Sequence, residues 1–455
     1  MSVGRTIRTR FPGLGPPRPA PERAAPDQGR TGPGRRLGRL SRGQAFWLVG
    51  VILILLLLSS SAPSPMYVLY QQRWHFSGTA LTVVFGIYAV AVLVALLLFG
   101  SLSDTLGRRR VLLASLVGEV VSMALFIGAR NLLWLLAARA VQGLAVGLAT
   151  GATSAALIEL SPPAAPSRGT LLNSAGPTGG IAAGALVAGL LVQFAPAPTV
   201  LTYALLLAAF LLAFVGVLAM PETAPGQDRG HQGRDQGRDQ GRGLRIRPSR
   251  ISVPAAARRP FALLSLALIA VWAVCGLYLS LGPSIALQIL HTGSLLTGGL
   301  VVALFAGVAT VGQLWLGGLP PLRLAGTGVV ALLVGLALVH AALTTSHAVL
   351  FFLGTAALGF GWGTAFLGAF RALAALAEPA RRSELLAAVY VVAYLSMSVP
   401  AVAAGGISGT WGLHRTALTF ITAAAFICVA ALLGLCWMVA RNRARRGARG
   451  TPGRK

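Results

Sequence analysis

The chain has 455 residues, 55% of them hydrophobic and only 11% charged, with 56 glycines and 26 prolines. Soluble domains carry about 25% charged residues, so this composition excludes an ordinary soluble enzyme and points to a polytopic membrane protein. The formal charge of +27 raises nucleic-acid binding, but the positions argue against it: ten arginines precede residue 45, nine lie from Arg229 to Arg259, and seven basic residues close the chain from Arg441 to Lys455. These are tails and a linker beside apolar runs, where arginine sets orientation and meets anionic membrane lipid.

Residues 1–44 bury nothing and are expected to be a disordered basic tail, not a cleaved leader. Uninterrupted apolar segments of about 20 residues then predict helices near 45–70, 79–100, 110–128, 132–158, 170–193 and 199–220. After a linker come 261–286, 294–318, 323–343, 348–376, 384–408 and 413–440. The expectation is an all-α integral membrane protein of twelve transmembrane helices, with six-helix bundles over 45–220 and 261–440 and a basic tail over 441–455. The linker, 221–260, contains the near-repeat GRDQGRDQGRG from Gly233 and reads as a flexible tether. Cys275, Cys428 and Cys436 all lie in apolar runs, and neither they nor the six scattered histidines have metal-ligand spacing. No phosphate-binding Gly-Lys-Ser/Thr loop is present, so no cofactor and no ATP-driven step is expected.

Between the second and third apolar runs stands GSLSDTLGRRR, Gly100 to Arg110. An acid, two glycines and three arginines here mark a hairpin at the cytoplasmic membrane surface. Gly107 suits a left-handed turn, and Asp104 can accept from free amides at a helix start. With both termini inside, the short inner loops hold Arg108, Arg109, Arg110, Arg168, Arg323, Arg381 and Arg382 against Arg73, Arg130 and Arg415 outside. The positive-inside rule therefore predicts a multi-pass cell-membrane protein with cytoplasmic termini. Gly100, Leu102, Asp104, Gly107, Arg108 and Arg109 resemble the signature loop of the major facilitator superfamily of secondary transporters, with Thr105 where a basic residue is usual. The resemblance implies that this loop latches the two halves on the cytoplasmic face.

Gly143 and Gly147 in the fourth helix recur with the same spacing as Gly359 and Gly363 in the tenth, as expected of two related bundles with a binding site between them. The fourth helix also carries Arg139, Gln142 and Gly151; its glycines form a smooth packing stripe, and a charge inside a span points to function. This run resembles a second superfamily motif, which implies proton transfer in proton-coupled members. Glu119, inside the third helix, is expected either to take up a proton or to pair with Arg139. In the fifth helix Gly176, Pro177, Gly179 and Gly180 predict a bend, as does Pro400 in the eleventh. GPTGG resembles the drug/proton antiporter motif, which implies export. Ser59, Ser60 and Tyr67 in the first helix, Asn173, and the aromatic residues Trp272, Tyr278, Trp362, Tyr390 and Tyr394 are the candidates for a weakly polar substrate cavity.

The reading is a monomeric alternating-access transporter, not an enzyme, that moves a small amphipathic or lipophilic substrate out in exchange for protons. An uptake permease for a polar metabolite is the alternative, followed by a membrane sensor or scaffold that transports nothing.

Overall fold

Proline divides two of the apolar stretches, and a short polar side chain caps three of the helices at their start. The structure, a computed structural model, describes residues 40–100, 102–165, 167–222, 251–291, 294–377 and 381–449, without the side chains of Asp104, Ala256, Arg382 and 442–449. The expected tail up to residue 39, linker residues 223–250, Glu378 and the chain after 449 lie outside the described residues.

Among the described residues, twelve helical spans are long and apolar enough to cross a membrane. In the first half, α1 (Arg42–Ser61) and α2 (Pro63–Trp74) form one span, followed by α3 (Gly78–Phe99), the short α4 (Leu102–Leu106), α5 (Arg108–Ile127), α6 (Leu132–Leu160), α7 (Ser167–Phe194) and α8 (Pro198–Leu218). The second half repeats the plan with α9 (Arg258–Ser280), α10 (Gly282–Leu290), α11 (Leu296–Leu316), α12 (Pro321–Thr345), α13 (Ala348–Leu376), α14 (Arg382–Trp411) and α15 (Leu413–Arg449). The protein is an all-α integral membrane protein of two six-helix bundles.

Two stretches expected as single rods are divided. The 45–70 segment breaks at Ala62 before Pro63, and the 261–286 segment at Leu281 before Pro283, because proline cannot donate the next helical hydrogen bond. Each broken rod ends on a histidine with positive φ, His75 at 50° and His291 at 46°. The last helix runs past its expected end at 440, to Arg449. Pro177 and Pro400 sit inside α7 and α14, which continue through them. Ser41 and Gln44 form a reciprocal capping box at α1, and Ser77 and Asn131 cap α3 and α6.

The halves share packing details. A Cβ on Gly143 would stand 2.5 Å from Tyr88 O and one on Gly147 2.7 Å from Val92 O; Gly359 and Gly363 abut Phe305 O and Ala309 O in the same way. Bare backbone at these positions lets α6 press on α3, and α13 on α11.

The halves meet at the end away from the Gly100–Arg110 turn, called here the far end. There Gly78 and Gly86 of α3 lie against Ser408 and Val402 of α14, Thr79 Oγ1 donates to Gly405 O at 3.1 Å, and Gly189 of α7 packs on Gly299 of α11. Gln193 Oε1 accepts from Ser294 Oγ at 3.2 Å, and Ser64 Oγ donates to Leu279 O at 2.8 Å. Deeper in, Thr310 Oγ1 donates to Thr178 Oγ1 at 2.9 Å, and Thr178 lies 3.2 Å from Gln313 Oε1. At the turn end, Arg108 and Arg109 bond to Glu159, Val217 and Leu218 of their own half.

Gly147→Val is expected to destabilise the purified protein by about 1–3 kcal/mol through overpacking, seen as a lower Tm in detergent. Gly406→Ala, whose Cβ would meet nothing within 4 Å, is expected to leave Tm unchanged.

Candidate functional site

Arg139 sets the chemistry of the first half. At 1.5 Å per residue it lies about 10 Å inside α6 from the far end, and it is fully buried. A charge there needs acceptors on every N–H. Its Nε and Nη2 both donate to Tyr67 Oη, at 2.8 and 2.5 Å, while Nη1 donates to Ser60 O at 2.9 Å and to Gln142 Oε1 at 2.7 Å. The guanidinium carbon sits 5.0 Å from the Tyr88 ring centroid and 5.5 Å from that of Tyr67, close enough for both ring faces to share the charge. Tyr88 Oη donates to Ser60 Oγ at 2.8 Å.

The break in the first span supplies part of this shell. Pro63 has no amide to give Ser59 O, its partner four residues back. Gln142 Nε2 takes that vacancy, donating to Ser59 O at 3.1 Å. Ser59, Ser60 and Tyr67, the cavity candidates of the first span, are buried beside Arg139 and Gln142.

Glu119 is also fully buried. Its Oε2 lies 3.5 Å from Ser59 Oγ, and Oε1 has no hydrogen-bond partner among the described residues. The direct pairing with Arg139 is not formed; the two are linked through Ser59 and Gln142.

The second half is built around an aromatic cluster. Tyr278 stacks on Phe305 with centroids 4.7 Å apart, Phe305 on Trp362 at 4.9 Å, and Trp362 meets Trp272 edge-on at 6.4 Å. Trp272 also contacts Phe366 at 5.3 Å and Tyr394 at 5.8 Å, and Tyr390 joins Tyr394 at 6.5 Å. All five aromatic candidates thus belong to one network, with Phe305 and Phe366 added by the fold. Tyr278, Phe305 and Trp362 are buried, whereas Trp272, Phe366, Tyr390 and Tyr394 are half-buried. Tyr390 and Tyr394 continue, in four-residue steps toward the turn end, the α14 stripe whose Ser398 and Val402 touch Gly86 of α3. They therefore lie on the face of α14 that is turned toward the other half.

A family model, the Major Facilitator Superfamily, matches residues 49–366, more than half of the sequence. The chain belongs to the major facilitator superfamily. It is accordingly a secondary-active membrane transporter that works by alternating access, and not an enzyme. Among solved structures it is similar to a bacterial homologue of the human lysosomal transporter Spinster in an inward-facing, unoccupied conformation, at 14% identity and TM-score 0.67, over 87% of this chain and 97% of that one. It is also similar to the human organic anion transporter MFSD10 (TETRAN), at 19% identity, TM-score 0.59, and 87% and 100% coverage. The nucleoside transporter NupG, solved as a mutant, is a third, at 11% identity, TM-score 0.67, and 86% and 99% coverage. At these identities the likeness concerns the fold, and the three come from different branches. Among curated proteins none matches the sequence significantly.

In this superfamily member the signature turn is tied to its own half. Gly107 adopts φ 95°, which glycine tolerates without strain. The carboxylate at the start of α5 is Glu222, whose Oε1 accepts from the amides of Arg108 at 2.9 Å and Arg109 at 3.4 Å; the expected acceptor, Asp104, has its side chain outside the described residues. Arg108 bonds Ser103 Oγ at 2.7 Å and Glu159 Oε1 at 3.2 Å. A Cβ on Gly151 would lie 3.3 Å from Gly100 O, and the α4 segment begins at Leu102. In α7 the glycines divide between two neighbours: Gly176 and Gly180 rest on Leu53 and Ile54 of α1, while Gly179 faces Thr310 of α11 in the other half. Asn173 Oδ1 accepts from Ser154 Oγ at 2.8 Å, away from the Arg139 cluster.

Tyr88, Glu222, Thr178 and Thr310 escape sequence reasoning. Each is a single polar residue beside or within an apolar helix, with no motif spacing. Tyr88 alone carried a signal, since it occupies the place in its half that Phe305 fills in the other, each carbonyl meeting one of the paired glycines.

Tyr67→Phe removes the acceptor for two guanidinium N–H groups. It is expected to destabilise the protein by about 1–3 kcal/mol, read as a lower Tm than that of Tyr390→Phe.

Proposed function

We propose that this transporter exports small amphipathic or lipophilic compounds in exchange for protons, with Glu119 as the proton carrier and Arg139 and Gln142 as its electrostatic partners. The observation that carries the proposal is the buried Glu119 carboxyl with one unpartnered oxygen, one hydroxyl away from the Arg139–Gln142 cluster. Ser59 Oγ already donates its hydrogen to Leu56 O at 2.8 Å. A hydroxyl has one hydrogen, so the contact with Glu119 closes as a hydrogen bond when the carboxyl supplies the proton. Four of the five Arg139 N–H groups donate to neutral oxygens in the same conformation, which leaves the acid free to hold that proton. After proton loss, the carboxylate and the guanidinium attract one another in a low-dielectric interior, which favours a different packing of α1, α5 and α6.

The export direction rests on GPTGG and on charge placement. Short loops at the turn end hold most of the arginines, so that end is taken as cytoplasmic and both termini with it. With the halves joined at the far end, the aromatic rings half-buried toward the turn end would meet compounds arriving from the cytoplasm or inner leaflet. The relative described as an organic anion transporter and the one described as a nucleoside transporter carry no weight on substrate here, since only their fold is shared.

The test is flux in proteoliposomes under an imposed pH gradient. Gradient-driven movement of a fluorescent, uncharged lipophilic compound is expected, and Glu119→Gln should abolish its dependence on the gradient while leaving substrate exchange at zero gradient intact. Flux of the unmodified protein that ignores pH, or accumulation of a polar metabolite instead, would refute the reading. For sidedness, in a background with Cys436 replaced by Ser, Arg110→Cys in intact cells should react with an impermeant maleimide only after permeabilisation, whereas Arg73→Cys should react at once.

A further inference from the structure

Two buried indole donors stand without acceptors in the aromatic cluster of the second half. Nε1 of Trp272 and Nε1 of Trp362 are sealed from solvent and have no hydrogen-bond partner among the described residues. Buried donors normally find a partner, and an indole N–H can only donate. Two such groups on adjacent rings, 6.4 Å apart and nearly perpendicular, are an unspent recognition capacity. The third polar group of the deep cluster, Tyr278 Oη, is already paired with Thr355 Oγ1 at 3.1 Å.

The surroundings limit what can use these donors. The rings of Phe305, Phe366 and Tyr394 flank the two indoles, and faces and edges of this kind favour a flat π-system. No charged side chain belongs to the cluster among the described residues; Arg371, the charge on α13, is bonded to Gly317 O. A substrate with a full charge would find no counter-ion here, and a saturated hydrocarbon would leave the donors unpaired.

We propose that Trp272 and Trp362 form the substrate-selecting subsite of the second half, which takes a planar, uncharged aromatic compound through a carbonyl oxygen that accepts from their indole N–H groups. The compound slides in along the half-buried edges of Trp272, Tyr394 and Tyr390 and separates the packed rings to reach the N–H groups. This deepens the export reading by naming the class of compound that the aromatic cluster takes, and it rests on that reading only for the direction of transport.

Binding to the purified full-length chain, with no gradient, tests it. The probes are 9-fluorenone and fluorene, which share one flat skeleton and differ by a carbonyl in place of a methylene. Tritiated 9-fluorenone in a scintillation proximity assay, with unlabelled fluorene as competitor, should bind about tenfold more tightly than fluorene, the worth of one net hydrogen bond. Trp272→Phe and Trp362→Phe keep a ring in place and delete one donor each. Each should shrink the preference, and the double variant should bring the two probes to within about twofold, fluorene affinity serving as the control for an intact ring stack. If the double variant loses fluorene binding, the two single variants decide. Equal affinities in the unmodified protein, a preference that survives both substitutions, or no binding of either probe would overturn the proposal. Selective binding without proton-driven flux would sink the export reading alone, whereas proton-driven export without the carbonyl preference would sink this one alone.

Discussion

A guanidinium held inside a span has to be surrounded by oxygen, and much of the first half is arranged around that demand. Arg139 takes its acceptors from three sources: a backbone carbonyl in α1, a tyrosine in α2 and a glutamine one turn along its own helix. The broken first span is what makes this feasible. Continuous helix would occupy the Ser59 carbonyl with an amide at residue 63, and proline at that position releases it to Gln142. The break, the serines beside it and the arginine are therefore one feature, distributed over three helices, and losing any part leaves polar groups stranded in an apolar medium.

The second half keeps the frame and discards the charge. Gly118 and Gly335 occupy matching places on α5 and α12, and each is pressed against the following helix, at Ala145 in one case and Leu358 in the other. The next residue is Glu119 in the first half and Leu336 in the second. Tyr88, which bonds into the arginine cluster, corresponds to Phe305, which stacks between Tyr278 and Trp362. The backbone contacts of a duplicated bundle are preserved because bare glycine surfaces tolerate no side chain, whereas the residues between them are free to diverge. One bundle has become polar at its centre and the other aromatic, a division that suits a proton in one half and an organic compound in the other.

The spans, their number and the equal halves were legible in the sequence because lipid imposes a simple rule: about 20 apolar residues, bounded by charge or glycine. Arg139, Gln142 and Glu119 were legible as well, since an ionisable group in such a run stands out. What the sequence hid was partnership. It suggested that Glu119 answers Arg139, and the fold inserts Ser59 and Gln142 between them, a consequence of a carbonyl freed by proline that no side-chain pattern reveals. It offered Ser59, Ser60 and Tyr67 as cavity walls on the strength of hydroxyls beside a helix break, and it did not reveal the bonds that Ser60 and Tyr67 make to Arg139. The carboxylate of Glu222, more than a hundred residues on and just past α8, accepts from the first amides of α5, and nothing near Gly107 in sequence points to it. Contacts that close over a hundred residues leave no local trace.

The two centres share a helix, which bears on how a proton in one half can influence a compound in the other. On one side α3 presents Tyr88 to Ser60 and the guanidinium; on another, Gly78, Thr79, Thr82 and Gly86 lie against α14. That same α14 stripe continues into Tyr394 and Tyr390. A change in the polarity of the arginine cluster that shifts Tyr88 acts on a rigid rod whose opposite face packs closely on α14, the helix that also carries Tyr394 and Tyr390. Glycine-lined interfaces slide or separate but do not deform gradually, because no flexible side chains lie between the rods to absorb the strain. Under the proposed exchange, α3 would carry the coupling by displacement of a whole helix, and a relay of side chains from Glu119 to the indoles becomes unnecessary.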